Sequence, residues 1–508
     1  MDATLRTVAT QHDIVVVSDL HIGRGKNQKT GRYYRLEAFF YDADFLRFCD
    51  HLIDDARLRT CKFKLILNGD TFDLLRVDHD SEQDQSLRER RYGPALTPTV
   101  AASIMEQIIA GHPVFMQALA RVLGAGHEVV FLPGNHDIEM QWAEVQAVVQ
   151  NALIGFVLAH GSEEEAQDAA TRLQFRQWFY YEENRVWIEH GCQYDPENAF
   201  QFYLRGKLED KGEAVHKAEV DMPLGTFFQR YLYNQFGNIT FLVPNSRSQF
   251  RYFRWLLINR PRLLARVATV HFPFFWQVIR RIVKTGSKAT ELRESHEKQL
   301  QELVETTSLG EKLRTVEGYK RVGMDSAILA KQAISRALKI AAFICLGAVL
   351  ATGLWTLGAQ SIGSATFGVG FKALLFVGLN FGFLVLVMVT MMYFLLRPSG
   401  PGPDPWLGPT AKKIAKLIDV PIVTFGHTHD EDLRPLSLEG DAWYYNTGTW
   451  IAVFTPDSLM PRERVQYTFL RILGTTAKLE HWSPGRSEAI PVVLIDGDSD
   501  TKGRVEAN

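Results

Sequence analysis

Cysteine is scarce in this chain of 508 residues: there are four, Cys49, Cys61, Cys192 and Cys345, and no two stand in a Cys-x-x-Cys spacing. That scarcity argues against a disulfide framework or a zinc ribbon and leaves reduced, cytosolic thiols as the expectation. Net charge is equally slight. Lys and Arg number 56 against 58 Asp and Glu, a formal balance of -2, so any basic surface must be local and no nucleic-acid partner is expected. The opening residues, Met1 to Arg6, lead into a polar stretch and then a strand without the apolar core of a secretory signal, and the catalytic part is therefore expected in the cytoplasm. With 46% apolar residues the chain can bury a large core, and its length predicts two or three units.

What is present begins with Ile14-Val15-Val16-Val17-Ser18-Asp19-Leu20-His21, a β-branched run ending in small and acidic residues. It reads as a buried strand that delivers two ligand side chains at its C-terminal edge, with alternation placing Asp19 and His21 on the same side. Four more stretches end an apolar strand on Asp, Asn or His. They are Asn68-Gly69-Asp70-Thr71-Phe72-Asp73, Gly134-Asn135-His136-Asp137, Glu189-His190-Gly191 and Gly426-His427-Thr428-His429. Between them, apolar spacing predicts helices over 39–58, 114–123 and 410–417 and strands over 63–67, 128–132, 421–424, 443–454, 465–473 and 478–482. The βαβ rhythm predicts an α/β sandwich with its site at the strand ends.

These five blocks, in this order, resemble the calcineurin-like metallophosphoesterase superfamily over about 12–195 and 418–485. The first-half motifs and His190-Gly191 are nearest to UDP-2,3-diacylglucosamine pyrophosphatase-like members, which lack the long insertion found here. The resemblance implies a metallophosphoesterase β-sandwich flanked by helices and a pair of divalent ions, Mn²⁺ first, with Fe or Zn²⁺ as alternatives. It puts Asp19, His21 and His429 on one ion and Asn135, His190 and His427 on the other, with Asp70 bridging. His160-Gly161 offers a second His-Gly doublet, and His190 is preferred because it follows the strand Val186-Trp187-Ile188. The resemblance gives His136 the phosphate or the leaving oxygen; Asp137, the carboxylate beside it, is expected to orient that imidazole, and Asn135 to contact the substrate as well. A loop over 78–93 carries Arg88, Arg90 and Arg91, read either as a solvated surface or as an anion clamp over the substrate.

Between His190 and His427 the pattern changes. An aromatic-rich piece over 195–246 is expected to be helical. From Arg247 to Lys288 there are ten Arg and Lys and no Asp or Glu, interleaved with Phe253, Trp255, Phe274, Phe275 and Trp276, which fits a helix lying on an anionic membrane. A solvated helical piece over 290–339 follows. Ile340–Ala359 and Ala373–Leu396 carry no charge and are long enough to cross a hydrocarbon core of roughly 30 Å. Lys331, Arg336 and Lys339 before them and Arg397, Lys412, Lys413 and Lys416 after them put both ends in the cytoplasm.

The expected organisation is therefore a first phosphoesterase part over 1–195, a helical insertion with a membrane-interface stretch over 196–339, and a transmembrane hairpin over 340–397. A second phosphoesterase part over 398–485 and a tail over 486–508 complete it. The expected function is a multi-pass inner-membrane enzyme hydrolysing a phosphate ester or pyrophosphate, lipid-linked or otherwise, by hydroxide attack at the cytoplasmic face. A membrane-tethered phosphatase of soluble nucleotides or phosphoproteins and a non-catalytic membrane scaffold are the alternatives.

Overall fold

The structure, a computed structural model, describes residues 12–77, 96–204, 221–231, 234, 261–266, 290–322, 352–353, 355–396, 406–437, 440–452 and 465–492. It opens on β1 (Asp13–Val17), β-branched and buried throughout. In α1 (Asp42–Leu58), Phe45, Phe48, Cys49, Leu52 and Ala56 form one buried stripe at helical spacing. β2 (Phe63–Asn68) comes next. α2 (Pro98–Gly111) starts with Pro98 in its first turn behind a Thr97 cap, and α3 (Pro113–Gly124) continues from it after His112. β3 (Glu128–Leu132), α4 (Ala143–His160) and α5 (Glu163–Thr171) follow, the last opened by a Ser162–Glu165 capping box. Three short strands, β4 (Leu173–Phe175), β5 (Phe179–Glu182) and β6 (Val186–Glu189), complete the first half.

The insertion contributes α6 (Leu224–Tyr231), α7 (Pro261–Arg266), α8 (Thr290–Thr306), α9 (Lys312–Glu317) and α10 (Val369–Leu396). After it come α11 (Leu407–Ile418), β7 (Ile422–Phe425), β8 (Glu431–Pro435) and β9 (Trp443–Thr447). β10 (Thr468–Leu473), β11 (Thr476–Ser483) and β12 (Glu488–Pro491) end it. Among the described residues the chain is thus mixed α/β, with two mixed sheets and eleven α-helices.

Each sheet is built from both sides of the insertion. The seven-stranded sheet runs β12-β11-β10-β1-β2-β3-β4, parallel from β1 to β4 and antiparallel where β10 joins β1. The five-stranded sheet runs β5-β6-β7-β9-β8, with β6, β7 and β9 parallel. Period-2 alternation sorts the side chains into three cores. Ile14, Val16, Ile66 and Val130 meet Val186, Ile188, Ile422 and Tyr445 between the sheets. Val15, Val17, Leu65 and Leu67 turn outward under α1 to α5. Trp187, Val423, Phe425 and Tyr444 face α8, α9 and α11, so the insertion's helices form part of the outer layer. Parallel strands covered on both faces explain why these segments read as unbroken apolar runs.

Several expectations meet a different outcome. The C-terminal tail begins later than residue 486, because β12 pairs with β11. The transmembrane hairpin is not supported: among the described residues no helix is long and apolar enough to cross a membrane. Of its first span, 340–351 and 354 lie outside the described residues; of its second, within α10, side chains are described at 369–383 and at 385. What is described there packs Trp355 against Phe376, ring centroids 5.9 Å apart, and leaves Phe371, Leu374, Val377 and Phe381 exposed. Arg88, Arg90 and Arg91 lie outside the described residues, as does most of the basic stretch 247–288.

A buried ion pair joins the helical layer to the loop after His21. His112 sits between α2 and α3 with Nδ1 2.9 Å from Asp42 Oδ1 and Nε2 3.3 Å from Glu37 Oε2, and Glu37 in turn accepts from the backbone N–H groups of Gly23 and Phe39. Burial opposes a charge on His112, yet the two carboxylates carry its pKa from 6.5 up to about 9. A histidine whose folded pKa is raised lends stability that is fully present below 6.5 and fades as pH climbs through about 9. Urea unfolding is expected to show a loss of about 3 kcal/mol across that window, and His112→Gln to flatten it.

Candidate metal centre

Five of the seven predicted ligands stand on backbone that L-residues seldom adopt. Asp19, His21, Asp70, His427 and His429 have φ of 55°, 47°, 48°, 70° and 59°. Left-handed backbone costs of order 1–3 kcal/mol per residue and persists only where its surroundings enforce it. The first pair departs from the sequence reading. β1 ends at Val17, so Asp19 and His21 are brought together by two left-handed residues in the loop beyond the strand, not by strand alternation. Pairing holds that loop in place: Asp19 N donates to Gly69 O and His21 N to Asp70 O, binding the β1 and β2 loops side by side.

The ligand atoms form two adjoining groups. Asp19, His21 and His429 offer donor atoms within 4.8 Å of one another, and so do Asp70, His190 and His427. In the first, His21 Nε2 lies 2.9 Å from His429 Nε2, and His429 Nε2 3.3 Å from Asp19 Oδ1. In the second, His190 Nε2 lies 3.3 Å from Asp70 Oδ2. That same oxygen is 3.8 Å from His21 Nε2, which puts Asp70 between the groups. Asn135 adds a buried side chain whose Oδ1 makes no hydrogen bond. Oxygen and imidazole donors without thiolate suit divalent ions of the Mn²⁺, Fe and Zn²⁺ kind. An unmade bond at a buried amide costs about 1–3 kcal/mol, and a metal ligand at Asn135 Oδ1 would account for it. The donor set therefore fits a pair of ions.

Neighbours select the nitrogens. His190 Nδ1 donates to Asn68 O at 3.0 Å, leaving Nε2 as the ligand atom, and Asn68 Nδ2 returns a bond to Glu189 O. Glu189 is held by the indole N–H groups of Trp178 and Trp187 and by the Tyr194 hydroxyl. Beside Asp70, Gly134 allows no side chain, since a Cβ there would overlap Asp70 Oδ1. On the other flank Asn446 Nδ2 donates to Gly426 O and Thr449 Oγ1 to Asp19 O, bracing both ligand loops.

Charge follows from this packing. Burial holds the His21 pKa down at about 4, so its imidazole is neutral at physiological pH, the form in which a histidine ligates a metal. Burial also opposes charge on His190, but Asp70 and Asp19 push it up to about 10. Asp70 itself stays well below the ordinary carboxylate range despite its burial, through His190 and His136.

His136 departs from the expected arrangement. Its Nδ1 lies 3.0 Å from Asp73 Oδ1, and Asp73, not Asp137, orients the ring. Asp137 instead accepts from the backbone N–H groups of Gly134, Asp70, Thr71 and Phe72, pinning the two ligand turns together, while burial and nearby Asp70 lift its pKa to about 7. The His136 side chain, 11% exposed against 0% for His21, is the one that reaches toward solvent. His160, the rejected doublet, ends α4 on an exposed surface. Sequence reasoning missed Asp73, whose position three residues after Asp70 was the available signal, and Asp195, whose Oδ2 lies 2.9 Å from His427 Nε2 with nothing in the sequence to link them.

No protein-family model matches the chain, and no curated protein matches it.

Proposed function

We propose that the chain is a two-metal phosphoesterase hydrolysing a phosphate ester or pyrophosphate. The observation that carries this reading is the meeting of Asp19, His21 and His429, and of Asp70, His190 and His427, in two buried groups drawn from both sides of the insertion, with Asn135 buried and its Oδ1 without a hydrogen bond. Two divalent ions held there would supply an activated water and neutralise charge on the attacking and departing oxygens. Asp19, His21 and His429 would hold one, Asn135, His190 and His427 the other, with Asp70 shared. His136 would meet the substrate. Burial opposes its charge, but Asp73 and Asp70 raise its pKa to about 9, so at neutral pH Nε2 carries a proton for a phosphoryl or leaving oxygen. Arg88, Arg90 and Arg91 remain candidates for the substrate's charge on sequence grounds alone.

The reading extends to a membrane-anchored enzyme at the cytoplasmic face of an inner membrane, acting on a lipid-linked phosphate or pyrophosphate. Its support is the uncharged segments 340–359 and 373–396, the basic aromatic stretch 247–288 and the apolar side chains that α10 exposes. An enzyme held at the interface meets amphipathic substrates at high effective concentration. The purified full chain with Mn²⁺ is expected to cleave a phosphodiester or pyrophosphate model compound. Failure on both would remove the enzymatic reading, and faster turnover of a soluble nucleotide than of a vesicle-borne pyrophosphate would remove the lipid substrate.

A further inference from the structure

We propose that Asp195 is a positioning residue for the ion held by Asn135, His190 and His427, and that the insertion acts on that ion through it; the proposal rests on the two-metal reading above. His427 has two ring nitrogens and can give only one to an ion. Its Nε2 lies 2.9 Å from Asp195 Oδ2, so Nε2–H donates to the carboxylate and Nδ1 carries the lone pair. The ring also stands edge-on to His190, centroids 5.3 Å apart, and its backbone N–H is fixed by Asp19 Oδ2.

Asp195 is in turn set by the first turn of the insertion. Its Oδ2 accepts from Asn198 Nδ2 at 2.7 Å and its Oδ1 from Glu197 N at 2.9 Å. The start of α6 closes onto this turn: Gly225 N donates to Glu197 O at 2.7 Å, and a Cβ on Gly225 would overlap Asn198 Oδ1. Two further ties fasten the same part of the insertion. Asp221 accepts from Gln201 N and Phe202 N, and Asn234 Nδ2 donates to Leu75 O in the loop after Asp73. Gly225, Asn198, Asp195 and the His427 ring thus form a continuous line from α6 to the group of Asn135, His190 and His427.

The test is titration of the metal-free full chain with Co²⁺, followed by calorimetry and by the ion's visible absorption. Wild type is expected to take two equivalents; one or none overturns the two-metal reading itself. Asp195→Ala is expected to weaken one equivalent by roughly 10–100-fold and alter its absorption while the other binds as in wild type. Asp195→Asn, which keeps an acceptor for His427, is expected to recover most of that loss. Gly225→Ala, which removes no ligand, is expected to weaken the same equivalent. Wild-type binding of both equivalents by Asp195→Ala, or an equal loss of both, overturns the role of Asp195. Unchanged binding by Gly225→Ala overturns the link to the insertion.

Discussion

Asp70→Ala is expected to lower kcat on a phosphodiester by roughly 10³-fold or more and to leave the chain short of both ions, an effect no other single ligand should equal. The size follows from position. Asp70 Oδ2 lies 3.3 Å from His190 Nε2 and 3.8 Å from His21 Nε2, so its loss removes a donor from each group at once, and two-metal charge stabilisation is worth several kcal/mol. Its Oδ1 also accepts from His136 N at 2.7 Å, so the loop carrying the proposed proton donor loosens with it. Metal analysis of the purified variant, paired with kcat, checks this. Loss of only one ion, as expected of His429→Ala, would show that Asp70 serves a single site.

His136→Ala is expected to reduce kcat by about 10²–10⁴-fold while both ions stay bound, because His136 belongs to neither ligand set of the proposed pair. Asp73→Asn separates donor from scaffold. Removing the carboxylate lets the His136 pKa fall from about 9 toward the ordinary value near 6.5, so the fraction protonated at pH 8 drops far more than at pH 6. The variant's deficit in kcat should therefore grow as pH rises between those values. A deficit equal at both would assign Asp73 to holding the loop, or to the imidazole of His21, whose Nδ1 is 3.4 Å from Asp73 Oδ2.

The elements that dominate the fold were legible because their local signals agree. β2, β3, α3 and α11 each combine an apolar run of the right length with polar or glycine punctuation, and each appears within a few residues of its expected place. The ligand blocks were legible for the same reason, as short polar clusters at the ends of buried strands. Their geometry was not. Nothing local announces that Asp19, His21, His427 and His429 are left-handed, since that strain is enforced by contacts such as His427 N to Asp19 Oδ2 across the whole length of the chain. Asp137 was misread for a related reason: adjacency to His136 suggested a side-chain partner, whereas four backbone donors from two different turns compete for its carboxylate and win. β12 was missed because its residues, Glu488 to Pro491, lack a strand-like apolar pattern, and only the exposed edge of β11 recruits them.

The placement of Ile14 opposite Ile472 in one sheet, and of Ile188 beside Thr424 in the other, has a consequence for biosynthesis. A ribosome completes β1 and β6 long before β10 and β7 exist, so each carries one open edge of unpaired main-chain groups while the insertion is being made. Folding dominated by such distant pairings is slow, and the nascent first half needs shelter from aggregation until the final strands arrive. A chain truncated before residue 420 would lack β7 to β12 and, with them, His427 and His429, so neither ligand group could assemble.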